Sequence, residues 1–373
     1  MKMLSFNQVC QLIKAIGHEK TVIVEGENGI GKTSVAYHLR NDPAFANHIH
    51  IDPIDCTQLS DGSVWMPDID REIGVSRELP NERFGVNKNN QKGVNGSRPS
   101  FIALDEIAKA KQYIKDVLAP IVYERRIGNY HMPEGSVVTC FTNLTSEGLG
   151  DSIQAHLKNR LIFVKMRKPT KDEWVHWASS KRGFSSEVLA FAEEYPKLFD
   201  SFIDYDTGGQ FSDKQQEKHN PFIFNPRIAQ DAYASPRSLA TASVIVNGRT
   251  KMDDTTMQYA LDGAIGTAAA DALGAYVRFG RENPTFDEVR ADPAHAKVAS
   301  SPVAQIVMAF KLITNTETRD DAEAATEYVA RMRAEMQSLF CNSVANSPKV
   351  SAFITVAPFQ TMLKEHKIYF GNK

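Results

Sequence analysis

The chain has 373 residues, of which 42% are hydrophobic and 24% are charged, so it can bury a full core and is long enough for two or three domains. Its formal net charge is −2 without long runs of one sign, which gives no global electrostatic case for binding nucleic acid or an anionic membrane. The four cysteines are widely scattered without a C-x-x-C pair or a zinc-like spacing, so no disulfide framework is implied and the pattern fits reduced thiols in a cytoplasmic protein.

The N-terminal residues predict an amphipathic helix. Apolar residues recur at helical spacing from Phe6 to Ile16 with polar residues between them, whereas a signal peptide needs a continuous apolar block. No stretch of the sequence is long and apolar enough to predict a transmembrane helix. We therefore expect a cytoplasmic protein without a membrane partner.

A glycine-rich loop lies between a predicted strand and a predicted helix. The strand is the β-branched run 21–25, the loop is GENGIGKT at 26–33, and the helix begins at Ser34. Glycine allows backbone conformations closed to other residues, so that successive amide groups can converge on a phosphate at a helix N-terminus. The pattern predicts a nucleotide site in which Lys32 reaches the outer phosphates and the Thr33 hydroxyl a magnesium ion. The residues expected at the nucleotide are Gly26, Glu27, Asn28, Gly29, Ile30, Gly31, Lys32, Thr33 and Ser34.

A long polar segment follows. After a predicted second strand from His48 to Asp52, residues 55–99 are rich in Asp, Asn, Gly and Ser and show little apolar periodicity. A loop of this length inside a compact domain is usually functional, so we interpret residues 56–99 as an insertion. A plain solvent loop is the alternative.

Two further apolar runs end in polar side chains. Residues 101–104 predict a buried parallel strand that ends in Asp105 and Glu106, where its carboxyl end faces a site. We expect Asp105 to orient magnesium through water and Glu106 to act on the attacking water, because hydrolysis needs adjacent carboxylates at the strand tip. The run 136–142 predicts another buried strand. It ends in Asn143, whose amide can hold a water or a γ-phosphate oxygen.

The rest of the chain changes in character near residue 166. Before that point the sequence predicts a helix over 116–123, a hairpin over 125–135 and a last strand over 161–166. From residue 169 onward the pattern is helical, interrupted by a polar loop over 204–226.

Several of these features together resemble an AAA+ ATPase. They are GENGIGKT, FIALDE, Asn143 at a strand end, Asn159-Arg160 before a strand, and SPRS at 235–238. The chain looks like the MoxR branch, a dynein-related group with an insert in its second helix, and ERRIGNYHMPEGS matches the hairpin before the sensor strand of that group. The resemblance covers residues 21 to about 246. It implies an α/β fold of the P-loop NTPase type, with a parallel αβα core at 1–166, a helical lid at 167–249 and a helical C-terminal extension at 250–373.

The resemblance also implies roles for residues of this chain. The phosphate, magnesium and water-activating residues are Lys32, Thr33, Asp105 and Glu106, and Asn143 is the first sensor. Arg160 stands where such proteins carry the arginine finger that enters the neighbouring subunit's site. Arg237 matches the second sensor, on the lid, which touches the γ-phosphate of its own subunit.

A lid over a site made by two subunits implies a homo-oligomeric ring, which we expect to be a hexamer, with ATP and Mg²⁺ as cofactors. The expected activity is ATP hydrolysis coupled to remodelling of a protein client, with a von Willebrand A domain protein as a partner. The expected setting is the cytoplasm of a bacterial or phage-infected cell.

Two other classes of function stay open. A nucleic-acid motor or loader could use the polar residues of the hairpin and the insertion to contact phosphates, although the chain has no basic excess. The residues in question are Arg125, Arg126, Tyr130 and His131 in the hairpin and Lys88, Lys92 and Arg98 in the insertion. A nucleotide-gated scaffold without turnover is disfavoured by the presence of Glu106, Arg160 and Arg237.

Overall fold

The structure is a computed structural model that describes residues 2–60, 62–85, 98–144, 160–204, 220–226 and 229–368. The chain divides into two compact units, Met1–Lys168 and Pro169–Lys373. The first unit has a hydrophobic cluster on each face of its sheet, and the second has a core of its own.

The first unit is built on a parallel sheet. Its strands, in chain order, are β1 (Val22–Gly26), β2 (Ile49–His50), β3 (Ile54–Asp55), β4 (Trp65–Asp70), β5 (Val75–Pro80), β6 (Ser100–Asp105), β7 (Arg126–Ile127), β8 (Tyr130–His131), β9 (Val137–Asn143) and β10 (Ile162–Lys165). In the main sheet the order is β10, β1, β9, β6, β2, and β3 also pairs with β6. All of these pairings are parallel, and β1 lies between β9 and β10.

Helices cover both faces of this sheet. They are α1 (Phe6–Ile16), α2 (Ser34–Arg40) and α3 (Gln112–Glu124), with α1 as predicted. Every residue of β9 is buried, and all of β6 except its last residue. Because a covered parallel sheet excludes water from both faces, such strands are continuous apolar runs and end where a polar side chain reaches the edge.

The polar segment after β3 contains a hairpin where the sequence predicted a loop. Strands β4 and β5 pair antiparallel from Trp65 opposite Pro80 to Asp70 opposite Val75. Apolar side chains on both faces of the ribbon are exposed, Met66 to 56% on one face and Ile69 to 67% on the other, so neither face is a core face. Strand prediction depends on a one-sided apolar alternation, which this ribbon lacks. Residues 86–97, which include Lys88 and Lys92, lie outside the described residues.

A second hairpin lies where the sequence predicted one, within residues 125–135. Strands β7 and β8 pair around a turn at Gly128 and Asn129, and Gly128 has φ 55°. This turn contacts the first hairpin, since Glu78 N donates to Asn129 Oδ1 (2.5 Å) and Asn129 N to Glu78 O (3.1 Å). A Cβ on Gly128 would lie 2.6 Å from Glu78 O, so only glycine allows the two hairpins to meet here.

The second unit is helical, and its helices share one core. They are α4 (Lys171–Ser179), α5 (Ser186–Glu194), α6 (Pro236–Asn247), α7 (Asp254–Ile265), α8 (Thr267–Gly280), α9 (Phe286–Ala291), α10 (Pro302–Asn315), α11 (Arg319–Val329), α12 (Ala334–Ala345), α13 (Val350–Phe353) and α14 (Ala357–Glu365). The division into a lid and a C-terminal extension near residue 249 stays a prediction. Across the described ranges, none of the helices has both the length and the apolar content that crossing a bilayer requires.

Candidate active site

The glycine-rich loop connects the carboxyl end of β1 to α2. A Cβ on Gly26 would lie 2.9 Å from Met166 O, so the close approach of these two backbones requires glycine. Gly29 and Gly31 have φ of 74° and 95°, which is the left-handed region that other residues rarely adopt. Helix α2 begins directly after the loop, so the loop amides lie at the positive end of the helix. The first-turn amides of Val35 and Ala36 donate to Lys32 O (3.0 Å) and Thr33 O (3.1 Å), so a phosphate would meet the amides that precede them.

The predicted nucleotide residues differ in exposure. Buried are Gly26, Glu27, Gly29, Ile30 and Lys32, while Asn28, Gly31 and Thr33 are half-buried and Ser34 is exposed.

The ammonium of Lys32 is held by three oxygens. Its Nζ donates to Gly26 O (2.9 Å), Glu27 O (2.7 Å) and Asn143 Oδ1 (2.7 Å), and the residue is 6% exposed. All three acceptors are neutral amide oxygens. An ammonium gains more from charged phosphate oxygens, because hydrogen bonds between ionised groups are the stronger kind.

Thr33 and Asp105 form a second contact between the loop and the strand tips. Thr33 Oγ1 donates to Asp105 Oδ2 at 2.6 Å. Nowhere in the part of the chain that the structure describes do three or more His, Cys, Asp or Glu side chains form a group that could hold a metal ion. Magnesium is commonly bound through one or two carboxylates together with substrate phosphates and water. The Thr33–Asp105 pair fits a magnesium ion of that kind, which would neutralise charge on the phosphate oxygens.

Glu106 follows Asp105 in an unusual backbone conformation. Its φ of 54° is left-handed, and its amide donates to Asp105 Oδ1 at 3.0 Å. Asn143 Nδ2 donates to Glu106 Oε1 at 3.2 Å, and Lys109 Nζ lies 3.0 Å from Glu106 Oε2. Sequence reasoning missed Lys109. The sequence feature that could have pointed to Lys109 is its position three residues after Glu106. This spacing brings the two side chains together only when the chain forms a tight turn.

The sheet order explains why these side chains meet. Strand β9 lies between β1 and β6, and Asn143 pairs in register with Gly26, so its amide reaches Lys32 on one side and Glu106 on the other. The predicted site residues of the first unit, except Arg160, thus gather at the carboxyl edge of one parallel sheet, around a glycine loop. This is a P-loop nucleotide-binding fold.

Arg160 lies at the opposite edge of the sheet. It precedes β10, whose first residue Ile162 pairs with Val22 at the start of β1. The four residue steps from Val22 to Gly26 span about 13 Å at strand spacing, so the backbone at Arg160 is at least that far from the loop of its own chain. Its side chain is exposed, without a hydrogen bond or ion pair to other described residues. Its neighbour Asn159 lies outside the described residues.

Arg237 belongs to the second unit. It is exposed in the first turn of α6, where the positive end of the helix dipole disfavours a cation. A capping box between Ser235 and Ser238, with Pro236 at the first helical position, stabilises this helix start. The helix begins at Pro236 because these capping residues fix its start.

Comparisons with known proteins give only distant likenesses. No family model and no curated protein matches the chain. Among solved structures it is similar to a mutant RuvB from Thermotoga maritima, at 12% identity over 78% of this chain and 74% of that one, with a TM-score of 0.32. It is also similar to a full-length MCM homolog from Methanopyrus kandleri, at 10% identity over 72% of this chain and 53% of that one, with a TM-score of 0.28. Scores this low leave the geometry of the site as the basis for function.

Proposed function

We propose that the protein is an AAA+ ATPase of the MoxR type, which assembles as a ring of six copies and couples ATP hydrolysis to the remodelling of a protein client. The observation that carries the proposal is the hydrogen-bonded row Lys32–Asn143–Glu106 at the carboxyl edge of the sheet. A phosphate-binding cation, a sensing amide and a carboxylate base are the groups that hydrolysis of a nucleoside triphosphate needs in one place.

Each residue of the site has a role in this proposal. The loop amides and Lys32 bind the phosphates, and Thr33 and Asp105 hold Mg²⁺. Glu106 accepts the proton of the attacking water. Asn143 contacts both Lys32 and Glu106, so its amide is suited to report on the γ-phosphate.

The position of Arg160 supports a site shared between subunits. An exposed cation at the edge opposite its own glycine loop cannot contact a nucleotide bound there, yet it is available to a neighbouring copy. A ring of identical subunits supplies such a neighbour to every site. Arg237 would act as the second sensor within its own subunit.

A protein client is favoured over nucleic acid by the surroundings of the hairpin arginines. Arg125 donates from Nη1 to Thr21 Oγ1 (2.6 Å) and from Nη2 to Gly17 O (3.0 Å), and Arg126 Nη1 donates to Gly128 O (2.6 Å). Arg98 donates to two backbone oxygens, at Asn47 and His48. These side chains are engaged in holding the fold, whereas phosphate contacts need cations that face the ligand.

The experiment is an affinity capture that compares two variants. Tagged Glu106→Gln should bind ATP without turning it over and should retain the client, and the matched control Lys32→Ala should retain nothing in an ATP-dependent way. A co-purified von Willebrand A domain protein would identify the expected partner. ATP-dependent, nuclease-sensitive retention of DNA or RNA by Glu106→Gln would overturn the protein-client proposal. An absence of ATP hydrolysis by the assembled wild-type protein would overturn the ATPase itself.

A further inference from the structure

Lys109 lies beside Glu106 because of the turn that follows β6. Residues Ile107–Lys109 form a 3₁₀ turn in which Lys109 N donates to Glu106 O at 3.0 Å. A 3₁₀ helix has three residues per turn, so side chains at positions i and i+3 lie one above the other. The turn therefore places the Lys109 ammonium over the Glu106 carboxylate.

The two carboxylate oxygens of Glu106 have different partners. Oε1 accepts a hydrogen bond from Asn143 Nδ2, on the side of the phosphate-binding lysine. Oε2 is buried and accepts no hydrogen bond from the described residues, and the Lys109 ammonium lies 3.0 Å from it as an ion pair. The Glu106 and Lys109 side chains are only 26% and 27% exposed, so water screens this pair less than a pair on the open surface.

The orientation of the Glu106 carboxylate depends on contacts with other side chains. Its left-handed φ of 54° is a conformation that persists in non-glycine residues only where the surroundings hold it. The Glu106 amide is tied to Asp105 Oδ1, but the side chain beyond Cα depends on Asn143 and Lys109. Asn143 also accepts a hydrogen bond from Lys32, so its amide can reorient when a nucleotide draws Lys32 away. Lys109 is then the partner that stays beside Glu106.

We propose that Lys109 is a positioning residue for hydrolysis, and this rests on the ATPase activity proposed above. Lys109 anchors Oε2, which leaves Oε1 as the oxygen that faces the attacking water. As the water oxygen bonds to the γ-phosphorus and the bond from that phosphorus to the ADP oxygen breaks, the water proton passes to Oε1. Lys109 itself neither binds the nucleotide nor transfers a proton.

The test compares Lys109→Met, Lys109→Arg and the matched control Lys111→Met, which removes an exposed lysine two residues away. Lys109→Met should keep the ATP dissociation constant and the thermal midpoint of wild type but lower kcat by about 10- to 100-fold, the size of effect expected when a catalytic group is misplaced. Lys109→Arg should restore most of kcat, because a guanidinium also carries a positive charge and several donors. Lys111→Met should hydrolyse like wild type.

A double variant separates positioning from any other effect. Because Lys109 acts through Glu106, adding Lys109→Met to Glu106→Gln should not lower the small residual single-turnover rate of Glu106→Gln any further. A further loss in the double variant would overturn the inference, as would wild-type kcat or a raised kcat in Lys109→Met while wild type hydrolyses ATP. An inactive wild-type protein would instead overturn the proposed function, and this inference with it.

Discussion

Lys32 Nζ donates a 2.7 Å hydrogen bond to Asn143 Oδ1, and the same amide donates through Nδ2 to Glu106. One side chain thus joins the lysine that is proposed to bind phosphate to the carboxylate that is proposed to activate water. A phosphate that takes Lys32 into its own shell removes one partner of Asn143 and leaves the amide free to turn towards the new ligand. We therefore expect nucleotide binding at Lys32 to change the surroundings of Glu106 through Asn143.

We expect Lys32→Ala and Glu106→Gln to fail at different steps. Lys32→Ala removes a buried charge that would contact the phosphates, so ATP affinity should fall by about 100-fold or more. Glu106→Gln removes the base and keeps every phosphate contact, so binding should persist while turnover is lost. The measurements are calorimetric ATP affinity and steady-state hydrolysis, with thermal unfolding to check the fold. Turnover at the wild-type rate in Glu106→Gln would mean that the strand tip is assigned wrongly.

Arg160→Ala should bind ATP normally and hydrolyse it slowly, by a factor of about 10³ if the residue behaves like other arginine fingers. Because Arg160 lies at the edge opposite its own glycine loop, it should act on the site of an adjacent subunit. A site next to an Arg160→Ala subunit should therefore regain activity when that subunit is replaced by one with an intact Arg160. Mixing Arg160→Ala with Lys32→Ala pairs intact sites with intact fingers at some interfaces and should recover activity from two inactive proteins. The measurement is hydrolysis in rings shown to contain both subunits. If such rings stay inactive, Arg160 acts within its own chain or holds structure only.

Arg125 should be required for stability. It stands in the left-handed region at φ 54° after α3, and its guanidinium bonds Thr21, Gly17 and Val122. Arg125→Ala should lower the free energy of unfolding by about 2–4 kcal/mol through the loss of these bonds. Arg125→Gly loses the same bonds but relieves the backbone, so it should be about 1 kcal/mol more stable than Arg125→Ala. Denaturant unfolding measures both, with His131→Ala, an exposed change in the same hairpin, as control. Equal stabilities of Arg125→Ala and Arg125→Gly would exclude the strained conformation.

His48 should make stability depend on pH. Burial lowers the pKa of His48, and this outweighs the hydrogen bond to Gly135 O, which raises it; the neighbouring Arg98 guanidinium lowers it as well. His48 Nε2 lies 3.1 Å from Gly135 O, and its buried Nδ1 has no hydrogen-bond partner among the described residues. The folded state therefore prefers the neutral ring. The stabilisation is complete above the pKa of the unfolded chain, about 6.5, and is lost as the pH falls below it.

His48→Gln keeps a side-chain N–H donor but does not titrate. The difference in thermal midpoint between about pH 7.5 and about pH 5.5 should be smaller in this variant than in wild type. The control is His131→Gln, since His131 is exposed in the hairpin. An unchanged difference in His48→Gln would show that other groups dominate acid destabilisation.

The site could be predicted from the sequence where its residues follow buried strands. The runs before Gly26, Asp105 and Asn143 are continuous and apolar because both faces of the sheet are covered, and each stops at the edge where the polar group belongs. Lys109 could not be found in this way, since its contact with Glu106 depends on a 3₁₀ turn after a left-handed residue. Hydrophobic periodicity does not predict a single turn of this kind.

The fold was harder to predict where apolar residues are exposed and do not pack into a hydrophobic core. Strands β4 and β5 expose apolar side chains such as Met66 and Ile69, and their acidic and proline residues favour a loop. The sequence named Arg125 only as a phosphate contact in the nucleic-acid alternative, because it does not reveal that Thr21 and Gly17 accept hydrogen bonds from this side chain. Both cases concern residues whose surroundings come from distant parts of the chain.

All four cysteines are buried, and burial raises the pKa of Cys10, Cys140 and Cys341 to about 12 and that of Cys56 still further. Since the thiolate is the form that attacks alkylating reagents, the native thiols should stay inert at neutral pH. A single Glu72→Cys substitution in the exposed turn between β4 and β5 would then accept a fluorescent dye selectively in an otherwise native protein. Energy transfer between donor- and acceptor-labelled subunits would follow assembly and subunit exchange in real time.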